Sequence, residues 1–583
     1  MSPPRSGSGR LPPGRLPPGG KLPPLRYPLA PLPAPAAATA RRPANRLARA
    51  AIGTGAGTFV SRLTGLLRLV VMAATIGGGS VADGFNLANN TPNMIHDLVL
   101  GGVLAATFVP VFVERLATRP RREAEESISA VVSLSGVVLV VGTVLFVLAA
   151  PGIIDLYSGG SLDPAERSLA VDLLRLFAPQ LFFYGAISLI SAVLATRNRF
   201  VAVGFVPILN NIVSIVVFAL YALGASRSIT PAEVVHNRGL LLLLGIGTTA
   251  GVAVQALALL PSLFGSGARL RFVWRPADPA VRRIVSLSGW TFGFVVANQI
   301  ALFVVLALEV HLSGAVAGSV AAYSYAYQFF QFPVGVVAVS VINVASPQMS
   351  RSFARGDLAD LGRRFGVATR RTLALVLPAT VGYLVLARPV VSLLLRHHAE
   401  TPAAAHLTAS VLVMFALGLP GFCVFVLTTR AFQAMQDTRT AFVLYVLENG
   451  ANLLLAALLY HPLAIRGLAL AYSGAYSLAA VVSLLVLRER CGTIGGRALL
   501  AAVTRSGALS VVMALAVAFV SALVGATTGI AGWFGLIAAL VVGGVVYLGG
   551  AGLAGSLGDW QTARKKGAAR GPGGSRGGDP TGH

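Results

Sequence analysis

The sequence predicts an all-α polytopic membrane protein with about fourteen transmembrane helices and both termini in the cytoplasm. Three observations lead to this fold class: 55% of the residues are apolar, only 11% are charged, and the mean hydropathy is +0.75. A soluble domain of 583 residues needs more polar surface than this composition supplies. The bilayer is therefore the expected solvent.

Apolar runs of about 20 residues are interpreted as helices, because a bilayer offers no hydrogen-bond partner to an exposed backbone group. The predicted spans are 51–78, 84–114, 128–150, 168–195, 201–223, 239–264, 284–311, 315–349, 371–395, 405–433, 440–460, 465–487, 506–525 and 530–554.

The distribution of cations predicts the orientation of these spans. Short loops rich in Lys and Arg stay on the cytoplasmic side of a membrane. With the N-terminus inside, most of the 46 Lys and Arg residues fall in inner loops. The net charge of +25 is then explained by topology and by contact with anionic membrane lipids, and nucleic-acid binding is not expected.

Composition divides the chain into six parts. Both ends are rich in Pro, Gly and Arg and lack apolar runs, so we predict disordered basic cytoplasmic arms. A weak repeat between residues 195–220 and 434–459 indicates two related halves. The predicted parts are an arm at 1–48, an N-terminal six-helix bundle at 50–264, a cytoplasmic linker at 265–283, a C-terminal six-helix bundle at 284–487, two additional transmembrane helices at 506–554 and a tail at 557–583.

Two arginines in the first span, Arg62 and Arg68, are candidate functional residues, because a charge within a bilayer costs about 2.5–3.5 kcal/mol on insertion scales. Six residues apart, they converge on one cavity if the helix bends at Gly65. One interpretation is a cationic pocket for an anionic group. The alternative is that both arginines snorkel to the membrane surface.

The second span is too polar to face lipid, since it contains Asp83, Asn89, Asn93 and His96 around Pro92. We expect the polar side chains to face a cavity, with a broken helical turn at Pro92. For Asp83 the alternative is a cap on the outer end of its helix.

Polar groups also lie in later spans. Gln328 and Gln331 are expected to be cavity residues of the eighth span. In the eleventh span, Glu448, Asn449 and Asn452 place a carboxylate and an amide on one helix face, which suits a monovalent cation or a proton. Hydrogen bonding between helices is the competing explanation for the amides.

The sequence predicts a transporter and not an enzyme. It contains no Walker A loop and no HExxH helix, so neither catalytic residues nor a metal site is assigned. Cys423 and Cys491 fall at different predicted depths, so no disulfide is expected. No cofactor is expected beyond a coupling cation, a proton or the membrane potential.

Two segments resemble the MurJ (MviN) lipid II flippase family. Residues 61–110 begin SRLTGLLRLV and continue through ADGF, PN and FVP, and residues 323–353 read YSYAYQFFQFPVGVVAVSVINVASPQMSRSF. The likeness covers about residues 50–555. It implies two six-helix bundles in a V and two C-terminal helices that line a groove for a lipid tail, the fold of the multidrug/oligosaccharidyl-lipid/polysaccharide exporters.

The resemblance implies roles for individual residues. Arg62 and Arg68 match the arginines that bind the diphosphate of the substrate, and Asp83 matches an acidic position. Glu448 and Asn452 fall near the cation-binding part of the eleventh span. The sequence departs from the family pattern at four positions: Leu69 and Gln331 replace acids, and His96 and Gln328 replace arginines. His96 is expected to bind the diphosphate together with the two arginines.

The predicted function is translocation of undecaprenyl-diphosphate-linked peptidoglycan precursor from the inner to the outer leaflet of the bacterial cytoplasmic membrane. Two alternatives remain open: export of another polyprenyl-linked glycan by the same fold, and a membrane scaffold that recruits cell-wall synthesis proteins through its basic arms.

Overall fold

The computed structural model describes residues 41–96, 108–197, 199–225, 229–396, 400–525 and 529–553. Every regular element in these ranges is helical. The chain divides into two compact units, Met1–Arg49 and Ala50–His583. Of the first unit only residues 41–49 are described, so the predicted arm at 1–48 lies largely outside the described residues, as does the tail at 557–583.

The N-terminal half is a bundle organised around one central helix, α9. This helix packs against α5, α6 and α7, while α2 packs against α5. The helices are α1 (Arg41–Ile76), α2 (Ser80–His96), α3 (Val109–Thr118), α4 (Arg121–Ser158), α5 (Pro164–Phe177), α6 (Pro179–Thr196), α7 (Phe200–Gly224), α8 (Pro231–His236) and α9 (Arg238–Phe264).

The C-terminal half has α14 at its centre, in contact with α11, α13 and α16. A short π-helix, Val334–Ala338, joins α11 to α12. The helices are α10 (Pro279–Ser313), α11 (Ser319–Pro333), α12 (Val339–Ala354), α13 (Leu358–Leu395), α14 (Pro402–Ala434), α15 (Thr438–Leu463), α16 (Ile465–Cys491), α17 (Gly496–Val524) and α18 (Gly529–Leu553). The last two pack on each other and on α13.

Within the described residues, thirteen helical segments are long and apolar enough to cross a membrane. The remaining predicted span, the second at 84–114, is represented by α2 and α3, which lie on either side of residues outside the description. Helix α1 begins at Arg41, ten residues before the predicted span, because Pro43 stands in its first turn, where proline is tolerated. The all-helical polytopic fold is confirmed.

The two halves are joined by a linker that follows the surface of α4. Backbone N–H groups of Arg271 and Val273 donate to the hydroxyls of Ser129 and Ser133, at 3.2 and 3.0 Å. Asp278 then caps α10 through the backbone N–H of Ala280. These contacts satisfy an extended backbone that has no strand partner among the described residues.

Candidate functional site

A cavity of about 790 Å³ lies between the two halves, enclosed by α1, α2, α6, α7, α9 and α11. Its wall includes Arg62 and Arg68. No Asp or Glu is found among its described lining residues. The cavity is therefore cationic, with the remaining polar wall supplied by amides and hydroxyls.

Helix α1 presents both arginines because α7 anchors it. The side-chain amide of Asn211 donates to the backbone oxygen of Ser61 at 3.1 Å and to the hydroxyl of Thr64 at 2.9 Å. Gly335 makes room for the first arginine, since a Cβ there would lie 2.9 Å from Arg62 Nε. Among the described residues, no carboxylate forms an ion pair with either Arg62 or Arg68. Both guanidinium groups are thus available to an anionic ligand.

The predicted polar residues of α2 and α11 face each other across this cavity. Asn89 and Asn93 line it from α2, and Gln328 and Gln331 line it from α11. The amide of Gln331 donates to the hydroxyl of Tyr327 at 2.6 Å. These groups provide donors and acceptors without adding charge.

His96 is not among the lining residues, which corrects the expectation that it lies with the arginines. Its Nε2 is 3.2 Å from the hydroxyl of Ser188, and its ring centroid is 5.8 Å from that of Tyr184. Tyr184 lines the cavity. His96 therefore packs behind a wall residue, because the last turn of α2 faces α6.

Asp83 also lies outside the wall of the central cavity, which corrects its assignment as a cavity residue. Its carboxylate accepts hydrogen bonds from the backbone N–H groups of Gly318, at 2.6 Å, and Ala321, at 2.7 Å. These are unsatisfied donors at the start of α11, so Asp83 caps a helix of the other half. Nearby, the hydroxyl of Tyr325 donates to the backbone oxygen of Gly77 at 2.8 Å.

The three residues of α15 are separate from the central cavity. Glu448 is 2% exposed. The amide of Asn449 donates to the backbone oxygen of Tyr445 at 2.9 Å, which makes it part of the helix structure. Asn452 Oδ1 is buried and has no hydrogen-bond partner among the described residues. A carboxylate and an unsatisfied carbonyl oxygen thus lie one turn apart on one buried face.

Several wall residues were not predicted from the sequence. They include Tyr184, Asn210, Asn211 and Tyr327. The adjacent asparagines at 210 and 211 could have been recognised as cavity residues, because they lie in an otherwise apolar span. A tyrosine in a membrane span does not indicate a cavity in this way. Glu309 on α10, 4% exposed, was a second missed signal, since an acid within an apolar run is costly.

This arrangement suits a multivalent anion. Two unpaired guanidinium groups supply charge and directed donors, and the amides complete the hydrogen bonding. The exposed outer surface of the helices remains apolar, as at Leu63 and Leu67 on α1, which are 51% and 52% exposed.

Comparison with known proteins gives a consistent result. The family model described as "Lipid II flippase MurJ" matches residues 72–537. A protein named "Probable lipid II flippase MurJ" from Vibrio cholerae is 29% identical to this chain, over 74% of this chain and 80% of its own length. A protein of the same name from Rhizobium meliloti is 28% identical, over 72% of this chain and 76% of its own length.

Solved structures show the same fold. A lipid II flippase MurJ in an inward closed conformation superposes with a TM-score of 0.70 at 23% identity, covering 87% of this chain and 99% of that one. An inward-facing multidrug resistance MATE family transporter of the MOP superfamily gives 0.60 at 15% identity, over 75% of this chain and 98% of that one.

Proposed function

This chain belongs to the MurJ family of lipid II flippases, and we propose that it moves lipid II from the inner to the outer leaflet through the central cavity. Membership confirms the predictions of a transporter and of a multi-pass protein of the bacterial cytoplasmic membrane. Its role is in peptidoglycan biosynthesis.

One observation supports the substrate site above all others: Arg62 and Arg68 line one cavity that contains no described acid. A diphosphate that leaves water for a low-dielectric cavity needs compensating positive charge. Arginine supplies it with a planar fork that matches phosphate oxygens. We assign the diphosphate of lipid II to these two side chains.

The departures from the family pattern do not remove the positive charge that this assignment needs. Leu69 is fully buried in the core, so the wall gains no acid there. Gln328 and Gln331 line the cavity as neutral amides. The resemblance implies that Gln328 stands in place of an arginine and Gln331 in place of an acid, so the two replacements on α11 cancel in net charge.

Alternating access requires a contact that closes one side of the cavity and can open. The Asp83 contact joins α2 to the start of α11 at their predicted outer ends. Arg62 lies in α1 on the predicted inner side of this contact. Release of the contact would connect the cavity with the outer side, and its formation would favour loading from the inner leaflet.

Coupling is assigned to α15. The buried carboxylate of Glu448 and the unsatisfied Asn452 Oδ1 offer oxygen ligands to a monovalent cation, or a proton site. Replacement of Glu448 by Gln is expected to remove the dependence of transport on the cation or proton gradient while lipid II still binds. The measurement is flipping in proteoliposomes with imposed sodium, proton and electrical gradients applied one at a time. If transport by the Glu448→Gln variant still depends on all three gradients as before, Glu448 is not the coupling residue.

The substrate site is tested by depletion of the native protein and rescue with variants. We expect the Arg62→Ala/Arg68→Ala variant to lose surface-exposed lipid II and Arg62→Lys/Arg68→Lys to retain part of it. The matched control is Arg167→Ala/Arg175→Ala, which removes two exposed arginines that are not part of the cavity wall.

A scaffold would behave in the opposite way. Normal lipid II exposure with the Arg62→Ala/Arg68→Ala variant, together with loss of function on deletion of residues 1–48, would contradict transport through this cavity and favour recruitment of cell-wall enzymes. Export of another polyprenyl-linked glycan would be shown by binding of that lipid, and not lipid II, to the purified protein.

A further inference from the structure

A second group of cations lies outside the wall of the substrate cavity, at the predicted outer ends of α13, α14 and α16. Arg388 Nη2 is 3.1 Å from His406 Nε2. Arg466 Nε donates to the hydroxyl of Ser410 at 2.9 Å, one turn along α14 from His406. All three basic side chains are exposed. We call the depression formed by Arg388, His406, Ser410, Val413, Met414 and Arg466 the outer cationic groove.

This cluster is unusual in its charge balance. Cations are scarce on the predicted outer side, since short outer loops are depleted in them. Within the described residues, neither Arg388 nor Arg466 forms an ion pair, whereas Arg167, also predicted to be outside, pairs with Asp155 at 2.6 Å. Arg388 donates to His406, so the two arginines supply the charge of the groove, and a bound anion would neutralise it.

The shape of the groove indicates what kind of anion fits. The groove has a volume of about 240 Å³ and runs along α14 between α13 and α16. Below the cations its floor is Ala409, Val413 and Met414. One turn further, Leu417 is 47% exposed and continues the same apolar face toward the membrane centre. A cationic mouth above an apolar floor fits a phosphate that carries an acyl chain.

Depth supports the same conclusion. His406 lies four residues after the start of α14 and Arg388 seven residues before the end of α13. At about 1.5 Å per residue they lie about 6–10 Å below the helix ends, the level of lipid headgroups. A free phosphate ion would not require the apolar floor.

We propose that the outer cationic groove binds an anionic phospholipid of the outer leaflet, with its phosphate on Arg388, His406 and Arg466 and an acyl chain along Val413, Met414 and Leu417. This site is separate from the central cavity and does not depend on the proposed substrate.

The test places a tryptophan reporter beside the groove in the full-length protein. The four natural tryptophans are replaced by Phe, and Leu417→Trp is introduced. The protein is reconstituted in vesicles of phosphatidylcholine mixed with brominated phosphatidylglycerol, or with brominated phosphatidylcholine, and fluorescence quenching is measured. A second reporter, Leu458→Trp on α15, is also lipid-exposed, at 63%, and serves as the matched position.

At Leu417→Trp we expect brominated phosphatidylglycerol to be preferred over brominated phosphatidylcholine by at least about fivefold. This ratio corresponds to about 1 kcal/mol, the contribution of one basic residue near an anionic headgroup. Arg388→Gln/Arg466→Gln should bring this preference close to one, and Arg238→Gln, which removes another exposed outer arginine, should leave it unchanged. The reporter at Leu458→Trp should show no preference in any variant.

Three outcomes would overturn the proposal. The first is equal quenching by both lipids at Leu417→Trp. The second is a preference that survives loss of both arginines. The third is displacement of phosphatidylglycerol by inorganic phosphate at constant ionic strength, which would make the groove a site for the free anion.

Met414→Trp in place of Leu417→Trp fills the floor while keeping all charges, and weaker phosphatidylglycerol binding is then expected.

Discussion

Asp83 on α2 accepts a hydrogen bond from the backbone N–H of Gly318 on the other half of the molecule, 2.6 Å away and 235 positions along the chain. The same carboxylate accepts from Ala321 at 2.7 Å. A charged acceptor at a helix N-terminus is stabilised by the free N–H groups and by the helix dipole. This contact is therefore a strong determinant of whether the outer ends of the two halves stay together.

Asp83→Asn should weaken the closure. The amide keeps one acceptor oxygen but loses the negative charge, and a hydrogen bond to a charged group contributes about 1.5–3 kcal/mol. The reporter is a cysteine introduced at the cavity residue Ser214, in a protein whose Cys423 and Cys491 are replaced by Ala. We expect a thiol reagent added on the outer side to label this cysteine about tenfold faster in the Asp83→Asn variant. Asp172→Asn removes another acid predicted to lie near the outer side, and it should leave the labelling rate unchanged. Equal rates for both variants would contradict the closure.

Gly318→Ala should destabilise the same contact for a steric reason. Gly318 has φ +91°, and a Cβ there would overlap the carbonyl oxygen of Gly78. Gly356 has φ +72° with no atom within 4 Å of its Cβ position, so Gly356→Ala imposes the backbone strain alone. Thermal unfolding of the two variants in detergent separates the effects. The Gly318 variant should unfold several degrees lower, and equal midpoints would show that the overlap is relieved without cost.

Glu400 predicts a dependence of stability on pH. It lies between α13 and α14, is 5% exposed, and has no hydrogen-bond partner for either carboxylate oxygen among the described residues. Burial raises the pKa of Glu400 from 4.5 to about 8. Between these values the folded protein keeps the proton that the unfolded chain releases, so the free energy of unfolding falls as pH rises through this window.

Thermal unfolding at several pH values between 5 and 9 measures this dependence. Glu400→Gln should flatten the slope, because an amide carries no titratable proton. Asp163→Asn is the matched control, since Asp163 precedes α5 without capping it, and it should retain the slope of the native protein. A Glu400→Gln variant with an unchanged slope would assign the pH dependence to other groups.

Two substitutions that restore the family pattern should differ in their effects on stability. Gln328→Arg introduces its charge into the cavity, where water and ligand have access, so we expect little change in the unfolding midpoint and tighter lipid II binding. Leu69→Glu introduces a carboxylate at a fully buried position, which costs several kcal/mol unless the group is paired. Thermal unfolding and lipid II titration distinguish them, and comparable stability of both variants would be inconsistent with the buried position of Leu69.

The sequence predicted the helices well because the bilayer requires long apolar segments. The second span was predicted although Asn86, Asn89, Asn90 and Asn93 lower its hydropathy, and the structure places these four residues on the cavity wall. Arg62 and Arg68 were predicted to share a cavity, and the structure places both on its wall. The cost of a buried charge made them visible in the sequence.

Other features depend on tertiary packing and left no such signal. The partners of Asp83 are backbone groups more than 200 residues away, and backbone donors have no sequence signature. His96 was expected in the cavity because it stands in a polar span at a position where the resembled family has an arginine, but the final turn of that helix meets Ser188. Gly335 is identifiable as a site residue only from the position of Arg62.

The attachment of α17 and α18 has a consequence for modularity. Their main contacts outside the pair are with α13, including a hydrogen bond from the Tyr547 hydroxyl to the backbone oxygen of Ala374. Because the pair packs mainly on one neighbour, its removal would leave the packing between the two halves largely unchanged.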